Sequence, residues 1–134
     1  GEIGMTAPNI VNVATITART YFDALADTNL TSLVLNPASS NKVFKINALT
    51  VANVDGSAAC NVDVSYHPST TTAVGSTVSS TGFALASTIA VPADATLVVI
   101  SKDTALYMEE SSVLAIKSYT ADDLHVVVSY EEIS

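Results

Sequence analysis

The chain has 134 residues, of which 49% are hydrophobic and only 13% charged, with a formal net charge of −8 and a single cysteine. That length holds one domain with a real core, and the charged share is about half of the roughly 25% usual for soluble domains. Five Lys and Arg against thirteen Asp and Glu leave no cationic footprint for nucleic-acid phosphates or an anionic membrane, and a lone Cys60 excludes an intrachain disulfide.

Residues 1–8 read as a leader or N-terminal arm, and 9–134 as a single domain. GEIGM lacks the basic and apolar regions of a signal peptide, and no apolar run approaches the roughly twenty residues of a membrane-spanning helix. From residue 9 onward the text is one short apolar run after another. Strands are expected at 9–18, 31–35, 42–54, 60–66, 83–91, 97–100, 105–108, 113–119 and 124–130. The last is the clearest, with Leu124, Val126, Val128 and Tyr130 alternating with His125, Val127 and Ser129. Regular strands at this spacing predict an all-β antiparallel sandwich, jelly-roll or Ig-like, with little or no helix.

Residues 20–27 (TYFDALAD) form the only plausible helical turn. Residues 36–41 read as a loop. In 42–54, Phe44, Ile46 and Ala48 share one face, after which Leu49 and Val51 break the alternation, which predicts a β-bulge or a strand crossing between sheets. Asp55-Gly56 marks a hairpin turn. Cys60 runs in phase with Val62, Val64 and Tyr66, as a buried strand thiol would. Residues 68–82 (PSTTTAVGSTVSSTG) are Ser/Thr-rich and uncharged, and are expected to form a projecting hairpin loop whose tip could contact a neighbour or a ligand. Pro92 ends the strand before it.

Chemistry-bearing residues are few. A nucleophilic triad needs a base, and the only histidines are His67 and His125. Both are expected to be surface or interface side chains, and no Gly-x-Ser-x-Gly elbow frames a serine. No His or Cys pair has metal-ligand spacing. The acidic pairs are Glu109-Glu110, Asp122-Asp123 and Glu131-Glu132. Adjacent residues of a strand face opposite ways, so only Asp122-Asp123, in a loop, offers a calcium reading beside the plainer one of solvated loop acids. The five tyrosines, Tyr21, Tyr66, Tyr107, Tyr119 and Tyr130, are expected to pack at core edges rather than form a sugar-stacking platform. No residue is assigned a catalytic, cofactor-binding or metal-binding role, and the expectation is that the chain is not an enzyme.

Several stretches resemble a family of small virion structural proteins of T4-like marine cyanophages. They are MTAPNIVNV (5–13), ASSNKVFKIN (38–47), VANVDG (51–56), IAVPADATLVVI (89–100) and SYEEIS (129–134). The resemblance covers most of the chain and is least evident in 68–82. It implies a non-enzymatic component of the virion, assembled in the host cytoplasm, with its place in capsid decoration, the neck or a tail accessory. It implies partners among other virion proteins and copies of itself, for which a trimer is expected. The neutral polar surface read from composition suits such self-association. The alternative is a carbohydrate- or surface-binding module that uses 68–82 with Tyr66 beside it.

Overall fold

Backbone pairing, rather than local propensity, decides where each strand begins and ends. A computed structural model of the chain describes residues 15–68 and 73–134. It contains β1 (Ile16–Ala24), β2 (Thr31–Asn36), β3 (Val43–Asn53), β4 (Cys60–His67), β5 (Phe83–Val91), β6 (Thr96–Ile100), β7 (Leu106–Met108), β8 (Ser112–Ser118) and β9 (Leu124–Ile133), with one 3₁₀ turn at Lys102–Thr104. One sheet, here called A, runs β1-β9-β3-β6, with β7 also on β3; the other, B, runs β2-β8-β4-β5. All ladders are antiparallel. Strand β6 lies along Leu49–Ala52 of β3 and β7 along Phe44–Ile46, so the two act as one strand broken by the 3₁₀ turn.

On that count each sheet has four strands, and every link except β4–β5 carries the chain from one sheet to the other. This nested order is a jelly roll, which decides between the two sandwich types expected from the sequence. The inner faces meet in one core that includes Leu33, Ile46, Leu49, Met108, Leu114, Ile116 and Leu124. Cys60 is buried there, its Sγ 3.5 Å from Ser118 Oγ. Two buried asparagines tie the sheets together. Asn53 Nδ2 on β3 donates to Val91 O and Ala58 O, each at 2.9 Å. Asn36 Nδ2 on β2 donates to Met108 O at 3.0 Å and Lys42 O at 2.9 Å.

The phase change expected in β3 is a bulge. Its register against β9 shifts between Ile46 and Ala48, so Phe44 and Ile46 face inward before it, and Leu49 and Val51 after it.

Four expectations need correction. Residues 20–24 are strand, not helical turn: Tyr21 pairs with Val128 and Phe22 with Val127, because β9 offers a ladder that a turn of helix too short to repay its nucleation cannot match. Of the expected strand 9–18, residues 9–14 lie outside the described residues. Asp55-Gly56 does not close a hairpin. Both sides of β3 are taken, by β9 and by β6 and β7, and both sides of β4 by β8 and β5, so 54–59 crosses between the sheets. Asn36 ends β2 rather than opening a loop, because its amide is buried against sheet A.

The fourth correction concerns 68–82. Residues 69–72 lie outside the described residues, but 73–82 do not project. They fold back along β2, where Gly75 N donates to Ser32 O, Ser32 N to Ser76 O, and Val78 N to Leu30 O, and Thr31 bridges Thr77. Val78 then packs on Val113 and Ala115, with Leu30 and Leu35 beside it. The segment is a strap over the outer face of sheet B, held by backbone donors and acceptors that the β2 edge would otherwise leave unpaired.

Candidate functional site

Among the described residues no segment lies across the middle of the outer face of sheet A, although at one end of that face Val43 and Ile133 are buried. Antiparallel register sets its side chains in rows across the strands. Phe22 of β1 lies opposite Val127 of β9, which lies opposite Thr50 of β3, which lies opposite Val98 of β6. Phe22 is 73% exposed, Val98 57% and Val127 45%. One row along stand Ala24, His125, Ala52 and Thr96; on the other side stand Thr20, Ser129 and Ala48. These three rows contain no Lys, Arg, Asp or Glu. Beyond them a fourth row holds Ala18, Glu131, Lys45 and Tyr107. Its one carboxylate and one ammonium cancel, and Lys45 Nζ sits 5.9 Å from the centre of the Tyr107 ring. The face is thus uncharged in sum, with His125 neutral, on a chain of net charge −8. This exposed row, apolar except at Thr50, is the candidate interaction surface of the molecule.

Glu131 and Glu132 do face opposite ways, as their adjacency on a strand requires. Glu132 turns inward, where Arg19 Nε meets Oε2 at 2.6 Å and Lys42 Nζ meets Oε1 at 3.0 Å. Burial pushes its carboxyl up, but the hydrogen bonds from Lys42 and Arg19 outweigh that and hold it below the ordinary Glu value. The clamp joins β1, β9 and the start of β3. Beside it Phe44 and Tyr130 stack with ring centres 5.6 Å apart. They line a groove of about 480 Å³ that also touches Leu35, Pro37 and Val74 of the strap.

His67 is where the structure departs most from expectation. It is 2% exposed rather than on the surface, because the strap closes over it. Nδ1 is 3.0 Å from the Ser80 carbonyl oxygen and Nε2 is 2.8 Å from Ser65 Oγ. The carbonyl can only accept, so Nδ1 donates to it, and Nε2 shares a hydrogen bond with the Ser65 hydroxyl. Gly82 lies against the imidazole so closely that a Cβ there would run into the ring. This Ser–His pair was not foreseen. Both imidazole nitrogens are occupied and the ring is buried, so the pair latches the strap. Ser65 and His67 themselves line a groove of about 270 Å³ that also holds Asp63 and Lys117. The Asp63 carboxylate is engaged by Thr88 N at 2.6 Å and Tyr119 OH at 2.7 Å.

Asp122 and Asp123 do lie in a loop, between β8 and β9. Desolvation raises the Asp123 carboxyl, and the charges of Asp55 and Asp122 add to the effect, while hydrogen bonds from Ser57 lower Asp55. Among the described residues no group of three or more His, Cys, Asp or Glu could hold a metal ion. Glu110 accepts from Asn41 N and so pins the loop before β3. Tyr66, Tyr21 and Tyr130 pack against the core, whereas Tyr107 and Tyr119 are exposed. Tyr66 is half-buried at the core edge. His125 is exposed on the bare face, as expected. No helix among the described residues is long and apolar enough to cross a membrane. No family model matches the sequence, and neither a curated protein nor a solved structure matches it.

Proposed function

We propose that this chain is a non-enzymatic structural protein of a phage virion, acting as a homo-oligomer and docking to other virion proteins as capsid decoration or as a neck or tail accessory. The observation that carries the reading is the outer face of sheet A. It spans all four strands, exposes Phe22, Val127 and Val98 in one row, and bears no net charge on a chain that is otherwise strongly acidic. Protein surfaces destined for water do not leave such a row uncovered, and assembly covers it. The resemblance of 5–13, 38–47, 51–56, 89–100 and 129–134 to cyanophage virion proteins supports the same reading.

Immunogold electron microscopy of gradient-purified cyanophage particles, with an antibody raised against this chain, tests the proposal. Regular labelling at head, neck or tail is the expected outcome. Signal confined to infected-cell lysate, with unlabelled particles, would overturn it.

A further inference from the structure

We infer that the occupant of the bare face of sheet A is a second copy of this chain, packed face to face about a twofold axis that runs along the strands between β9 and β3. The inference rests on the assembly reading above and names the partner and geometry at that surface.

Register and charge select this partner and axis. A twofold axis along the strands, lying in the plane between two sheets, keeps each residue at its own level and reverses the order of strands. Strand β1 of one copy then lies over β6 of the other, and β9 over β3. In the apolar row this sets Phe22 over Val98 and Val127 over Thr50. In the charged row it sets Glu131 of each copy over Lys45 of the other, so that two opposite-charge contacts form per dimer. A twofold axis perpendicular to the strands would instead set β9 over β9 and exchange levels, leaving Glu131 and Lys45 without each other. An isologous contact must be self-complementary, and only the first arrangement makes this face so. Twisted sheets also pack face to face with their strands nearly aligned, as this axis requires.

The size fits. Four strands about 4.8 Å apart and the length of β9 at about 3.3 Å per residue outline a flat area on the order of 600 Å². Side-chain relief adds to that, and a stable interface needs about 800 Å² per partner. A trimer, by contrast, would use two different patches on each copy, and the complementarity here lies within one.

The test is the solution mass of the full chain by sedimentation equilibrium, with circular dichroism to check the fold of every variant. The chain itself should run as a dimer. Lys45→Glu and Glu131→Lys should each halve the mass, because each sets like charges over one another twice. Mixing the two variants should restore the dimer, since both contacts become attractive again. Lys45 and Glu131 are also cross-strand neighbours within a chain, so a second pair guards against misfolding. Phe22→Lys and Val98→Glu change exposed side chains, should each weaken the dimer, and should recover it when mixed. A dimer or larger oligomer unmoved by all four variants, a trimer, or mixtures that fail to associate would overturn the twofold face while leaving assembly standing. A chain monomeric at its highest soluble concentration would overturn the inference and remove the support that this face gives to self-association; labelled particles would then still mark a virion component.

Discussion

The two outer faces of this jelly roll carry similar apolar residues and meet different fates. On sheet B, Val113 and Ala115 point outward and are buried, because the strap lays Val78 on them and closes over His67. On sheet A, Phe22, Val127 and Val98 point outward and stay in water. The strap is long enough to return along β2 and still reach β5, while among the described residues the links that border sheet A's face are short. The contrast is one of degree, since β5 at the edge of sheet B also exposes Phe83, Leu85 and Ile89.

Stripping the covered face should have the largest effect. Gly82→Val would drive a side chain into the His67 imidazole, which is held through both nitrogens and cannot step aside. A loss of about 3 kcal/mol in urea unfolding is expected, at the upper end for overpacking, with increased binding of a hydrophobic dye as Val113 and Ala115 are uncovered. An unchanged midpoint would mean that the strap does not depend on this latch. The bare face should respond in the opposite way. Val127→Asp should leave the monomer within about 0.5 kcal/mol of its original stability, as exposed substitutions do. It should weaken self-association at least a hundredfold, about 2.7 kcal/mol, as read by concentration-dependent mass. Loss of fold with no change in mass would reverse the assignment of the two faces.

Much of this was legible in the sequence, and the parts that were not have a common cause. Alternation located β9 and β4 because one side of each is core and the other mostly polar. The same reading caught the bulge in β3, where Phe44 and Ile46 give way to Leu49 and Val51. It failed at 20–24, where Phe22 faces outward yet is apolar. A strand with hydrophobic residues on both faces loses its period-two signal, and Tyr21, Phe22 and Leu25 then read as helix. The misread residue is the most exposed one of the candidate surface, so what hid the strand is what marks the site. The strap was missed for a different reason. Its contacts with β2 and β8 are long-range, and Ser, Thr and Gly carry no local sign of them. His67 and Asn36, each beside a Pro, likewise read as a surface and a loop residue, and Asn53 as an ordinary strand residue, until the packing shows them buried.

A milder change sharpens the contrast without breaking the latch. Val78→Ala removes two methyl groups from the cover over Val113 and Ala115. At about 0.8 kcal/mol for each, the expected cost is about 1.5 kcal/mol. Native-state hydrogen exchange should show faster opening at Val78 N and Ser32 N, whose bonds hold the strap on β2, with β9 and β3 unaffected. Uniform acceleration across both sheets would mean that the strap is integral to the core rather than a cover.

The smallest effect distinguishes two neighbouring carboxylates. Glu131 faces the bare surface, and Glu132 faces inward between Arg19 and Lys42. Because the folded state holds the Glu132 carboxyl below its ordinary value of 4.5, the unfolded chain binds its proton more readily. The clamp's contribution is therefore complete above about pH 4.5 and falls away as the pH drops through the lower folded value. Both cations are substantially exposed, so screening limits Glu132→Gln to a cost of about 1 kcal/mol at neutral pH. The variant should also show a shallower loss of stability on acidification than the parent chain. Glu131→Gln, compared at a concentration where the chain is monomeric, should match the parent in unfolding and differ from it only in association. If acid unfolding of the Glu132 variant followed the parent at every pH, the inward carboxylate would be contributing no more than its exposed neighbour, and the strands β1, β9 and β3 would be held at that end by packing of Phe44 and Tyr130 alone.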